Sequence, residues 1–301
     1  MSAALRSVRA LVGPILVSAA LCLPARAQTA DANPVVQNAL RDIDAKHFAK
    51  AAEALAPVAE AGNAEAQYLL GLLNDAGVLP DASINAAAVW YFKSASSGNA
   101  KAQNNLGAMY FDGRGVARNR GQALLWYGRA AAQGNAQAQL NYALMLGEGV
   151  SREEEGADTG PARPPDPQGM LGWLLRASQQ GYARAQLQLG KVYLAGGAIP
   201  ADANEAAYWL KLAAEQELPE AQYLYAELLQ KGEGVKRDLD AAIGWFERAS
   251  SGGVAAASYE LGVIYELGLG AVADAQKSDA YYRKAAEAGY AKAIEKMKQQ
   301  R

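Results

Sequence analysis

The sequence has one cysteine, Cys22, and one histidine, His47, so a Cys/His zinc site, a structural disulfide and a Cys-His catalytic pair have no residues to build them. An excess of positive charge is missing as well, because 29 Lys and Arg stand against 31 Asp and Glu for a net charge of −2. A phosphate backbone is held largely by releasing its counterions to a cationic surface, so nucleic acid is not an expected partner. A membrane-spanning run is lacking too. The apolar stretch from Leu11 to Leu23 is 13 residues, contains Pro14, and falls short of the roughly 18–20 residues a spanning helix needs.

What that stretch does resemble is the apolar region of an export signal. Arg6 and Arg9 precede it and Ala25-Arg26-Ala27 follows it, the small-x-small pattern at which signal peptidase cuts. Residues 1–27 are therefore expected to be a signal peptide, leaving Gln28 as the new terminus and 28–34 as a short linker. Acylation at Cys22 is the competing reading, but Leu21 stands where a small residue is required. Cleavage would remove three arginines and no acid, taking the formal charge from −2 to −5, and would leave a chain without cysteine. The expected location is the periplasm, or the medium, with no stable membrane insertion after cleavage. The rest, at 51% hydrophobic and 20% charged residues overall, can bury a core.

The chain repeats itself. Ala-x-Ala-Gln opens at Ala64, Ala100, Ala136 and Ala183, and altered forms open at Pro219, Ala255 and Ala291, with spacings of 36, 36, 47, 36, 36 and 36. Trp90, Trp126, Trp173, Trp209 and Trp245 share one position of the unit, and Tyr281 takes it in the last. Three residues later comes a cation (Lys93, Arg129, Arg176, Arg248, Lys284), with Leu212 the exception. Apolar spacing in each half is helical, as in Ala102, Leu106, Gly107 and Tyr110. Helices of about 12 residues are marginal alone in water, so they must stack to persist. Gly113-Arg114-Gly115 and its equivalents could be read as phosphate cradles, yet none follows a strand; helix stops and turns are the better account. Second halves end at Gly98, Gly134, Gly181, Gly253 and Gly289. Glu217 breaks that pattern, with Pro219 following. Gly71, Gly107, Gly190 and Gly262 are expected to leave room for a ring of the second helix. The recurring Gln67, Gln103, Gln139, Gln186 and Gln222 fit amide hydrogen bonding between neighbouring units.

This unit, A-x-A-Q-x-x-L-G-x-x-Y-x-x-G-x-G-V followed by Trp-Tyr-x-Lys/Arg-Ala-Ala-x-x-Gly-Asn, resembles the Sel1-like repeat, a relative of the tetratricopeptide repeat. Residues 100–135 match almost position for position, and the resemblance covers about 35–301. It implies a bacterial, exported, all-α protein: a right-handed superhelical solenoid of antiparallel helix pairs. On this reading 35–62 is a degenerate N-terminal cap hairpin that contains His47, a bland helical residue. Residues 63–290 hold six repeats, and 291–301 forms a C-terminal capping helix. The one 47-residue unit carries an acidic, proline-rich insertion, 151–167, whose composition does not favour folding. It is read as a solvated loop or as a docking site for a basic partner.

Function is weighed between binding and catalysis. Some cysteine-rich relatives have been associated with penicillin binding and β-lactam hydrolysis, which makes a cell-wall-directed hydrolase the competing class. This chain lacks their cysteines, Ser-x-x-Lys and Lys-Thr-Gly. No enzymatic activity, metal or cofactor is expected. The resemblance instead implies an adaptor or regulator that takes a protein or peptide in a concave groove, in envelope signalling, cell-wall or secretion assemblies, as a monomer. In tetratricopeptide-like stacks the fifth and ninth residues of each first helix face that groove. Carried over by position, the fifth are Tyr68, Asn104, Leu140, Leu187, Tyr223 and Tyr259; the ninth are Leu72, Ala108, Leu144, Lys191, Glu227 and Val263. These vary while the packing positions repeat, although Leu140 and Leu187 could equally complete inter-helix packing.

Overall fold

The computed structural model describes residues 33–150 and 163–299. The expected signal peptide, its cleavage site, residues 28–32 of the linker and residues 151–162 of the insertion lie outside the described residues. Fifteen helices make up the described chain, which divides into two compact units, one ending at Asp166 and one beginning at Pro167.

The first unit contains α1 (Pro34–Asp44), α2 (Phe48–Glu60), α3 (Ala64–Asp75), α4 (Ile84–Ser96), α5 (Ala100–Asp112), α6 (Arg120–Ala132) and α7 (Ala136–Glu148). The second contains α8 (Pro167–Gln179), α9 (Ala183–Ala195), α10 (Ala203–Glu215), α11 (Pro219–Lys231), α12 (Leu239–Ser251), α13 (Ala255–Leu267), α14 (Ala275–Glu287) and α15 (Ala291–Gln299). Within each unit every helix packs on its neighbours in sequence. That arrangement of paired helices is the all-α solenoid architecture, and among the described residues there is no strand, only the isolated bridge between Val150 and Arg163.

Local chemistry sets the ends of these helices. Asn63, Asn99 and Asn135 cap α3, α5 and α7 by accepting from the backbone N–H of Ala66, Ala102 and Ala138 at 2.8–3.0 Å. Second helices use the same device: Asn119, Asp238 and Asp274 accept from the amides of Gln122, Ala241 and Lys277. A cap of this kind contributes about 1 kcal/mol. In the second unit the first helices α9, α11 and α13 begin at Tyr182, Leu218 and Val254, which make no side-chain cap. Leu218 and Val254 pack against the core of that unit instead. His47 is not inside a helix but at the start of α2, exposed and 3.8 Å from the Asp42 carboxylate, which also pairs with Lys50 at 2.9 Å.

Glutamines tie consecutive hairpins together, and glycines let the two helices of one hairpin approach. Gln67, Gln103, Gln139, Gln186 and Gln222 are all buried, and each donates from Nε2 to the carbonyl eight residues back, in the last turn of the preceding helix. Gln103 and Gln186 also accept from Gln133 and Gln216. The ring that fills the space at the recurring glycine belongs to the residue after the tryptophan position. A Cβ on Gly107 would lie 2.8 Å from Tyr127, and one on Gly71 or Gly262 would lie 2.6 Å from Tyr91 or Tyr282. Leu210 takes the place of that ring against Gly190.

The insertion returns to the repeat earlier than its composition suggests. Val150 and Arg163 exchange both backbone hydrogen bonds, at 2.8 and 2.9 Å, and the Asp166 N–H donates to the Leu146 carbonyl at 2.7 Å. Asn119, Asp202, Asp238 and Asp274 make the equivalent bond to Tyr110, Tyr193, Leu229 and Tyr265. All five stand seven residues before the tryptophan position, so residues 163–166 belong to the turn of the unit and α8 starts at Pro167.

Candidate functional site

In the first unit the positions expected to face a ligand are unequally available. Tyr68 is half-buried, 6.1 Å from the Tyr91 ring and 5.5 Å from the Lys101 ammonium. Burial, with Glu65 and Asp75 nearby, pushes its hydroxyl up to about 12. Asn104 is 3% exposed and Leu140 6%, so neither presents a side chain for contact, and Leu140 completes packing. Asn104 accepts from Asn141 at 3.0 Å and donates to Asn105 at 3.3 Å, forming a row of three amides across α5 and α7. Leu144 is half-buried in a small surface depression with Phe111, Tyr127, Asn141, Met145 and Glu148. Asp75 holds the other end of this face, accepting from the Tyr91 hydroxyl at 3.4 Å and from Arg114 at 3.2 Å.

The second unit differs in chemistry. Leu187, 4% exposed, is core, whereas Lys191 is half-buried and ion-paired with Glu220. Tyr223 and Glu227 lie one turn apart on α11. Burial raises the Tyr223 hydroxyl's pKa above its ordinary value, with Glu227 and Glu260 adding to the rise. Glu227 also pairs loosely with Lys231, at 3.7 Å. Tyr259 on α13 sits between two further rings, 5.4 Å from Tyr282 and 5.3 Å from Tyr290. Beside it, Glu260 is half-buried, and burial together with the Glu227 charge raises its carboxyl pKa against the opposing pull of Lys292 and Lys231.

The tryptophans are used differently from these tyrosines. Lys93, Arg129, Arg176 and Arg248 each place their charge 4.3–4.7 Å from the centre of the tryptophan ring three residues earlier. Such cation–π contacts contribute about 0.5–1 kcal/mol each at exposed sites. At the exception, Leu212, the Trp209 indole donates to Glu205 at 2.9 Å instead. The recurring cation is therefore a partner for the ring of its own helix.

Spacing alone missed Glu260, Tyr290, Asn105 and Asn141. Glu260, Asn105 and Asn141 are sixth residues of first helices, and the signal was available: that position reads Leu69, Asn105, Asn141, Gln188, Leu224 and Glu260 along the chain, with one charge among six. Among the described residues no three His, Cys, Asp or Glu side chains gather as metal ligands.

Helical hairpins that repeat every 36 residues, turn at glycine and are tied to the next hairpin by a buried glutamine define an all-α repeat scaffold. The chain belongs to the Sel1 repeat family: the model described as Sel1 repeat matches residues 64–99, 100–135, 136–157, 183–218, 219–254 and 255–290. Family members of this architecture are protein-interaction scaffolds. Among solved structures, a Sel1 repeat protein from Oxalobacter formigenes is 30% identical with a TM-score of 0.69, the match covering 83% of this chain and 96% of that one. The protective antigen c5321 of uropathogenic Escherichia coli, which displays an SLR fold, is 25% identical with a TM-score of 0.52. That match covers 82% of this chain and 58% of the antigen. A search of curated proteins found no match.

Proposed function

We propose that this chain is an exported, non-catalytic adaptor of the bacterial envelope that binds a protein or peptide through the faces of its first helices. The observation that supports this reading is the gathering of half-buried tyrosines, Tyr223, Tyr259 and Tyr290, beside carboxylates in the second unit. Amphipathic rings of this kind give large contact area at small entropic cost and commonly anchor partners. The Arg6/Arg9 and Ala25-Arg26-Ala27 signal supports export, and with it a periplasmic location. Neither a cofactor nor a metal enters this reading.

The test is affinity capture from bacterial cells expressing the chain with a C-terminal tag. The bait recovered from the envelope fraction should begin at Gln28 by intact mass and should retain a defined protein that the Tyr223→Ala/Tyr259→Ala variant loses while melting cooperatively. A bait retained in the cytoplasm with Met1 intact would sink the export reading. Equal capture by both forms would remove the tyrosines from the binding surface.

A further inference from the structure

We propose that the first-helix face of the first unit binds the main chain of an extended, uncharged peptide segment through the amides of Asn105 and Asn141, and takes one aliphatic side chain of that segment in the depression beside Asn141. The inference rests on the adaptor reading and gives the first unit a ligand chemistry of its own.

Hydrogen-bond geometry carries the first half. Asn104 is covered and serves both neighbours: its Oδ1 accepts from Asn141 on the next first helix at 3.0 Å, and its Nδ2 donates to Asn105 at 3.3 Å. The buried amide thereby orients two half-buried ones, Asn105 on α5 and Asn141 on α7. Asn141 gives one of its two amide hydrogens to Asn104, and its Oδ1 accepts no hydrogen bond among the described residues. A primary amide with a donor and an acceptor open matches the peptide unit, which offers the complementary pair whatever its side chain. Two hydrogen bonds and one amide separate Asn105 from Asn141, so an extended chain advancing about 3.3 Å per residue reaches both within two or three residues.

The depression carries the second half. It adjoins Asn141 and is lined by Phe111, Tyr127, Leu144 and Met145, with Glu148 also at its edge. Main-chain hydrogen bonds supply affinity without regard to sequence, and an apolar pocket beside them reads one side chain. Charge is absent where the ligand would lie: the fifth, sixth and ninth residues of α3, α5 and α7 include no charged side chain. Charges beside the face are already paired, Lys101 with Glu65 at 3.4 Å, Arg114 with Asp75 at 3.2 Å and Arg120 with Glu148 at 2.6 Å. A lysine or glutamate arriving here would lose water without gaining a counter-charge. A neutral saccharide would need an open ring face beside the amides, whereas Tyr127 is buried and the Arg120 guanidinium lies 5.1 Å from the centre of the Phe111 ring.

Selection of phage-displayed random heptapeptides on the immobilised full chain, followed by anisotropy titration of the most enriched peptide carrying a fluorescein label, tests this. The enriched sequences should be uncharged and share a Val, Leu, Ile or Met, and the affinity should be the same at low and at physiological salt. Asn141→Leu, which removes the amide and keeps the branched shape, should weaken that peptide about fivefold or more. N-methylation of the two peptide amides flanking its aliphatic residue should do the same to the wild-type chain. Gln276→Leu, at an exposed position of α14, should change nothing, and thermal melting confirms that each variant is folded. No enrichment, enrichment of charged sequences, affinity that falls with salt, or an unchanged affinity for either Asn141→Leu or the N-methylated peptide would each overturn the proposal. Retention of a natural partner through Tyr223 and Tyr259 alongside any of those results would leave the adaptor standing and remove only the first unit's part in it.

Discussion

At the scale of single residues, Glu217 is out of place by its own chemistry. Second helices elsewhere end in a glycine with positive φ, from 81° at Gly181 to 97° at Gly62, and at the equivalent turn Glu217 itself adopts φ 62°. For a residue with a Cβ the left-handed conformation costs about 1–2 kcal/mol. Glu217→Gly should therefore stabilise the chain by about 0.5–1 kcal/mol after the entropy of the added glycine is subtracted. The converse change isolates the same quantity: a Cβ on Gly134 meets nothing within 4 Å, so Gly134→Ala should destabilise through backbone conformation alone. Urea denaturation of both variants checks the pair, and opposite signs are required.

Much at this scale was legible in the sequence. The glycine stops, the buried glutamines and the tryptophan–cation spacing each recur because each performs the same contact in most units. Legibility failed where a residue does something only once. Glu260 acts at a position that is Leu, Asn or Gln in the other units, and Tyr290 acts from the glycine–asparagine close of a repeat. Glu260 has no second copy to mark it, and Tyr290 shares its position only with Tyr182. Burial also separates residues that spacing groups together: Tyr68, Tyr223 and Tyr259 stay half-buried at the fifth position, while Asn104, Leu140 and Leu187 at that position are covered.

At the scale of elements, the turn between α7 and α8 shows how a repeat tolerates added length. The run of acids and prolines reads as one continuous irregular segment ending at Pro167. Position in the unit reads differently, because Asp166 stands where Asn119, Asp202, Asp238 and Asp274 stand, and its amide bonds the carbonyl that theirs bond. Gly149, with φ 72°, is required there: a Cβ would lie 2.7 Å from the Arg163 carbonyl oxygen that passes over it. Since Val150 and Arg163 already form a closed antiparallel pair, Asn-Gly in place of 151–162 should give a two-residue hairpin and change stability by no more than about 1 kcal/mol. A deletion that runs on through Asp166 removes the bonds made by Val150, Arg163 and Asp166, and should lower the melting temperature clearly below that of the shorter deletion. Equal melting of the two would mean that residues 163–166 contribute nothing to the turn.

At the scale of the whole molecule, the same repeat carries two faces of different chemistry. In the first unit the variable positions carry amides, with Asn105 and Asn141 half-buried beside the covered Asn104 and Asp75 held by Tyr91 and Arg114. In the second they present carboxylates and phenols. Nothing in the packing demands that difference, since the buried glutamines and the close-packed glycines occur in both units. A scaffold whose packing positions are constrained and whose ligand positions are free to diverge behaves in this way. The opposite surface offers its own candidate in Val89, Phe92 and Leu125, which are 43–53% exposed on α4 and α6.

The measurement that separates the two surfaces is the affinity of the captured partner, by calorimetry, for the wild-type chain, for Tyr259→Ala on α13 and for Phe92→Ala on α4. Binding through the first helices predicts at least a tenfold loss for Tyr259→Ala, as for an aromatic anchor removed from an interface, and an unchanged affinity for Phe92→Ala. The reverse result, full affinity without Tyr259 and lost affinity without Phe92, would contradict the account and move the binding surface to the second helices.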